Sequence, residues 1–177
     1  IMILNPDILI NSGAIKILYE RYLKYENVGI LAPSLYDNNN NRRTNGSNSR
    51  LKKNYSNTNR HNIAQGDTCY DFVVGCSLFM NRDFFQSIGG FDKDFFMYFE
   101  DNDICDRIYQ NNRCVIEIPE SKMVHMQGLS SKYSFFSNTK LSIIHKVSEY
   151  IYYNKKLNSV KLYTIIFKHF FDYFQRC

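Results

Sequence analysis

Gly89-Gly90-Phe91-Asp92-Lys93-Asp94-Phe95-Phe96-Met97-Tyr98-Phe99-Glu100-Asp101-Asn102-Asp103-Ile104-Cys105-Asp106-Arg107 is the stretch on which the fold turns. Its double glycine closes a short helix predicted over residues 83 to 88, because glycine takes the left-handed conformation past a helix end without steric cost. Its far end opens a helix predicted over residues 100 to 110, with Ile104, Cys105 and Ile108 on one face. Glu100, Asp101 and Asp103 crowd the first turn of that helix, where the dipole favours negative charge. Between the two helices, Phe91, Phe95, Phe96 and Tyr98 serve equally as core or as a platform on which a sugar ring stacks.

Upstream, Ile1-Met2-Ile3-Leu4 reads as a buried strand that the chain enters midway, ended by Asn5-Pro6-Asp7. From Ser12 as N-cap, Ala14, Ile15, Leu18, Tyr19, Tyr22 and Leu23 recur at helical spacing to about Tyr25. Residues 28 to 31 form the next expected strand, stopped by Pro33. Residues 37 to 66, rich in Asn, Ser, Arg and Lys, read as a mobile loop inside one domain. Phe72 to Met80 is a strand candidate broken at Gly75. Downstream, residues 114 to 118 read as a strand closed by Pro119, and residues 123 to 126 as a short extended piece ending near His125. Two helical patterns follow, about 135 to 153 and 159 to 175.

At 177 residues, 44% of them hydrophobic, the chain can bury one core of ordinary size. The division expected is a main part over residues 1–132 and a helical extension over 133–177. A formal charge of +5 suits phosphate-bearing substrates, nucleic acid or an anionic surface alike. The basic stretch Arg42 to Arg60 lacks aromatic interleaving or a recognisable module, so no nucleic-acid partner is expected. Five cysteines without a CxxC pair read as reduced thiols of a cytoplasmic protein. No apolar run is long enough to span a bilayer. The broad apolar face of the last helix, with Phe167, Phe170, Phe171 and Phe174, calls for packing, a dimer partner, or peripheral contact with the inner face of a membrane.

Taken singly, Asp7 is a turn residue, His125 a packed or surface histidine, and the acidic helix start a dipole compensation. Their order carries more. Leu4-Asn5-Pro6-Asp7, Val28 to Pro33, Val74-Gly75-Cys76-Ser77-Leu78-Phe79-Met80-Asn81-Arg82, the stretch quoted above, and Pro119 to His125 with Gly128-Leu129-Ser130-Ser131 follow one another in register. This series resembles the rhamnosyltransferase-like branch of the family 2 inverting glycosyltransferases over residues 2 to 131.

The resemblance implies an α/β fold of the GT-A type: a Rossmann-like mixed sheet flanked by helices, with its N-terminal nucleotide-binding half missing here and C-terminal helices beyond. It implies transfer of a sugar, rhamnose being the namesake, from a nucleotide-sugar donor to a glycan or lipid-linked saccharide acceptor, with inversion and with Mg2+ or Mn2+ as cofactor. By the same likeness Asp7 stands at the last position of an Asp-x-Asp metal motif, in a branch that carries Asn-Pro-Asp there. Asn5 and Asp7 thus face the metal and diphosphate, and His125 completes the metal site. Asp101 matches the catalytic base beside Glu100. Gly75 and Cys76 fall on the loop near donor and acceptor, and Asp103 shapes the acceptor side with Arg107 one turn on, able to offset the acidic crowding. The isolated fragment is expected to be inactive. The competing reading is a glycan-binding or scaffolding remnant without turnover.

Overall fold

The structure is a computed structural model that describes residues 1–43, 45–48, 65–126 and 135–156, without the side chains of 135–138. The helix expected over 159 to 175, Gly128 to Ser131 and most of the basic stretch lie outside the described residues. In chain order the elements are β1 (Met2–Leu4), β2 (Ile8–Ile10), α1 (Ala14–Lys24), β3 (Val28–Tyr36), β4 (Arg42–Arg43), β5 (Gly46–Ser47), β6 (Thr68–Cys69), β7 (Phe72–Val73), β8 (Ser77–Phe79), α2 (Arg82–Ser87), α3 (Glu100–Gln110), β9 (Cys114–His125) and α4 (Phe135–Lys156). Among the described residues no helix is long and apolar enough to cross a membrane.

Two compact units contain these residues. In the first, which runs to Asp92 and resumes at Glu100, a mixed sheet has the order β1-β8-β3-β9-β2, with β4 beside β3 and β6 beside β9. Its centre is β3 against β9, paired in parallel, while the flanking pairs are antiparallel. Eight successive residues of β3 are buried, as a strand covered on both faces requires. Ile30 and Ala32 face a cluster that includes Ile104, Cys105 and Ile108 of α3. Leu31 and Leu35 face another that includes Ala14 and Leu18 of α1. Helices therefore cover both faces, and α3 is fixed by its apolar stripe with its acidic start at one end of the sheet. Gly29 allows that approach, since a Cβ there would stand 2.3 Å from Cγ2 of Ile108.

Several expected boundaries differ. Strand β3 continues through Pro33, and β9 runs unbroken through Pro119. The ladder between them jumps from Pro33–Ile118 to Ser34–Lys122, so residues 119 to 121 bulge out and neither proline has to donate to a regular ladder. The Ser34 hydroxyl lies within hydrogen-bond reach of the carbonyls of Pro119 and Ser121, at 3.0 and 3.1 Å. Helix α1 is preceded by Gly13 in the left-handed conformation with no side-chain cap, so Ser12 is not its N-cap. Residues 37 to 66 are not loop throughout, because β4 and β5 lie within them.

The second unit joins residues 93–99 to α4. Phe95, Tyr152 and Tyr153 are buried together with Phe99 packed on them, whereas Phe96 is exposed. The rings of Tyr98 and Phe99 lie 5.2 and 5.3 Å from that of His145. The Ser148 hydroxyl donates to the Met97 carbonyl at 2.7 Å. Tyr98 and Phe99 both have positive φ, 68° and 65°, an uncommon conformation for aromatic residues that costs roughly 1–2 kcal/mol each. These strained residues immediately precede Glu100.

Candidate active site

Pairing of β1 with β8 sets Leu4 opposite Ser77, and the next amide, that of Asn5, donates to the Cys76 carbonyl at 2.9 Å. The Asn5-Pro6-Asp7 turn is thereby held against the turn at Gly75 and Cys76. Strand β2 then leaves antiparallel to β9 with Ile8 opposite His125, and the Met126 amide donates to the Asp7 carbonyl at 2.9 Å. The result places Oδ2 of Asp7 3.3 Å from Nε2 of His125, with both side chains largely shielded. A carboxylate oxygen and an imidazole nitrogen are donors that suit Mn2+, and a bound diphosphate and water can complete its shell. Among the described residues no group of three or more His, Cys, Asp or Glu side chains forms a metal cluster by itself.

Asp101 enters from the other side, in the first turn of α3. The Gly75 amide donates to its Oδ2 at 3.0 Å, and the Asn102 amide donates to its Oδ1 at 2.9 Å. Burial, with the neighbouring Glu100 charge adding to it, pushes the Asp101 carboxyl up to about 7 against the pull of these amide donors. Oε2 of Glu100 is buried with no partner among the described residues. The Cys76 thiol, 3% exposed, is pushed up to about 12, by burial first and then by the charges of Asp101 and Asp7. The Asn5 amide bonds to Cys76 and the Gly75 amide to Asp101, so the Asp7 turn and the α3 start flank one turn.

Asp103 and Arg107 lie further along α3. Nε of Arg107 donates to Oδ2 of Asp103 at 2.8 Å, and Nη1 donates to the Ile88 carbonyl beyond α2 at 2.6 Å. Asp103 is 4% exposed, and Nη2 of Arg107 is buried without a partner among the described residues. The structure thus brings Asp7, His125, Gly75, Cys76, Asp101 and Glu100 to one end of the sheet, while Asp103 and Arg107 brace α3 against the end of α2. The amide of Asn102 and the strained pair Tyr98-Phe99 were not foreseen. A main-chain donor leaves no residue signature, and nothing in two aromatic residues announces a positive φ.

Residues 62–132 match the family described as the N-terminal domain of galactosyltransferase. Over 60 residues the chain is 32% identical to the N-acetylglucosaminyl-diphospho-decaprenol L-rhamnosyltransferase of two Mycobacterium tuberculosis strains. That alignment covers 34% of this chain and 20% of each relative. Among solved structures, a crystal structure of GalNAc-T7 with UDP, GalNAc and Mn2+ superposes with a TM-score of 0.53 and 14% identity, over 73% of this chain and 28% of that one. The matched region therefore amounts to well under half the length of these relatives.

Proposed function

We propose that this chain, a glycosyltransferase-like domain of GT-A fold, serves an inverting, metal-dependent transfer of a sugar from a nucleoside diphosphate donor to a hydroxyl of a glycan or lipid-linked saccharide. The observation that carries the reading is that the Gly75-Cys76 turn is hydrogen-bonded on one side to the turn that carries Asp7, beside His125, and on the other to Asp101. Rhamnose as the sugar and a lipid-linked acceptor follow the relative whose name contains both a rhamnosyl transfer and a decaprenol-linked substrate.

Asp7 and His125 would hold Mn2+ or Mg2+, with Asn5 on the same turn beside the diphosphate. Bound there, the cation supplies charge that neutralises the departing diphosphate. The acceptor oxygen forms the new bond to the anomeric carbon from the face opposite the diphosphate, whose bond to that carbon breaks. Asp101 takes the hydroxyl proton. A carboxylate with a proton affinity near neutrality is matched to this task, since a substantial fraction is ionised near neutral pH while it is still basic enough to accept. Glu100 raises that affinity through its charge. The Gly75-Cys76 turn lines the gap between the two sides, and the Asp103–Arg107 pair keeps α3 in place.

The test is manganese-dependent release of nucleoside diphosphate from a panel of donor sugars by a protein that joins this chain to the nucleotide-binding half the resemblance implies, run with and without Asp101→Asn. Turnover lost in the variant with Mn2+ and nucleotide binding retained supports the reading. Equal turnover in both removes Asp101 as the base, and glycan binding without any nucleotide release favours a binding module instead.

A further inference from the structure

We propose that Gly75 is a positioning residue for Asp101: because it carries no side chain, its amide reaches the carboxylate and fixes it in one orientation. The inference rests on the reading of Asp101 as the base, but its geometry is independent of that role. Two oxygens of one carboxylate are each held by a main-chain donor, Oδ2 by Gly75 and Oδ1 by Asn102. The Asn102 bond is local, made between neighbouring residues in the first turn of α3. The Gly75 bond is made across the fold, from the turn between β7 and β8 to the start of α3, and it ties the carboxylate to the turn that Asn5 also bonds.

What excludes a side chain at position 75 is space. Among the described residues the glycines with positive φ are Gly13, Gly89 and Gly90, so the backbone at Gly75 lies outside the left-handed region that favours glycine. A Cβ there would meet Cβ of Asp101 at 3.0 Å and its Oδ2 at 3.4 Å. The atoms met belong to the Asp101 side chain itself, so an added methyl group is accommodated by a shift of a few tenths of an ångström between that side chain and the turn, and the shift acts on the very bond the Gly75 amide makes.

The electrostatic consequence has a definite sign. The ionisable groups that face Asp101 are Glu100 on its own helix and Cys76 on the turn, and Glu100 raises its proton affinity while the Gly75 and Asn102 amides lower it. Removing the Gly75 donor leaves burial and Glu100 less opposed. The proton affinity of Asp101 rises, by roughly one pH unit for the loss of a single amide bond to a carboxylate.

The experiment is an NMR titration of the whole chain. In the unaltered protein the Gly75 amide proton is expected to shift with the same midpoint as the Asp101 side-chain carbon, and Asp101→Asn is expected to abolish that response. Gly75→Ala is expected to move the Asp101 midpoint upward and, in the transfer assay on the protein that includes the nucleotide-binding half, to move the acidic limb of the kcat pH profile by the same amount. At a pH below the limb this corresponds to about a tenfold loss of rate per unit moved. A Gly75 amide that ignores the Asp101 titration overturns the proposal, as does an alanine variant that raises KM with the midpoint unmoved. If the midpoint moves while transfer ignores it, the positioning role stands and the base assignment falls. Should the alanine variant fail to fold, the amide titration in the unaltered protein and in Asp101→Asn still decides.

Discussion

Asp7, on the turn after β1, and His125, the last residue of β9, hold a carboxylate oxygen 3.3 Å from an imidazole nitrogen. The pair exists because β2 returns antiparallel along β9 with Ile8 opposite His125, which fixes the preceding residue beside the imidazole.

If this pair binds a divalent cation, Asp7→Asn and His125→Ala should each weaken Mn2+ binding in the presence of UDP by about tenfold or more, a sizeable share of a two-donor protein site. Their combined effect should fall short of the sum, since both act on one ion. Manganese electron paramagnetic resonance measures this directly, and unchanged affinity in both variants removes the metal assignment.

Asp101 makes stability depend on pH. Its carboxyl is raised from an ordinary value near 4 to about 7 in the fold, so the folded chain binds more protons than the unfolded one between those values. The associated stabilisation is full below about pH 4 and is lost as pH rises to about 7, on the order of a few kcal/mol in all. Chemical denaturation across this range should show the decline, and Asp101→Asn should flatten it.

Gly29 lets α3 pack on β3, and alanine there would bring Cβ within 2.3 Å of Ile108. Gly29→Ala should cost about 1–3 kcal/mol through overpacking. Ile108→Ala in the same chain removes the γ carbons that an alanine at position 29 would meet, so the double variant should lose less than the sum of the two single variants, which urea denaturation of all three would reveal.

A buried ion pair joins Nη2 of Arg42 to Oε1 of Glu117 at 3.0 Å, with the Glu117 side chain 2% exposed. Burial raises the proton affinity of Glu117 and Arg42 opposes it. Arg42→Met alone should cost about 3–5 kcal/mol by stranding the carboxylate, whereas Arg42→Met with Glu117→Leu should be much milder. Thermal unfolding of the two variants separates the outcomes.

The elements legible in the sequence were those with strong local grammar. Helix α3 begins at Glu100 and ends at Gln110 as its acidic start and apolar stripe indicate, and Gly89 and Gly90, at φ 88° and 66°, end the α2 region as expected. The Asn5-Pro6-Asp7 turn and the break at Gly75 were likewise visible, whereas the roles expected of Asp7, Asp101 and His125 came from the resemblance of the ordered motifs to a known family. What local sequence could not supply was the partner of each proline. Pro33 and Pro119, read singly as strand stops, meet at one bulge between neighbouring strands, a relation created only by the β3–β9 pairing. The capping of α1 by a left-handed Gly13 instead of Ser12, and the backbone hold on Asp101, also depend on how the chain is arranged in space.

The pairing of β3 with β9 bears on how the chain emerges from a ribosome. Strand β3, buried over eight successive residues, is made well before its parallel neighbour at residues 114 to 125, which follows the other strands of the first unit. Until that segment is synthesised, the apolar flank of β3 lacks its principal partner and presents unpaired main-chain groups to other chains. Such long-range closure is slow by nature. Nascent chains ending before β9 should therefore be the species that a holding chaperone retains, and release should coincide with exit of His125.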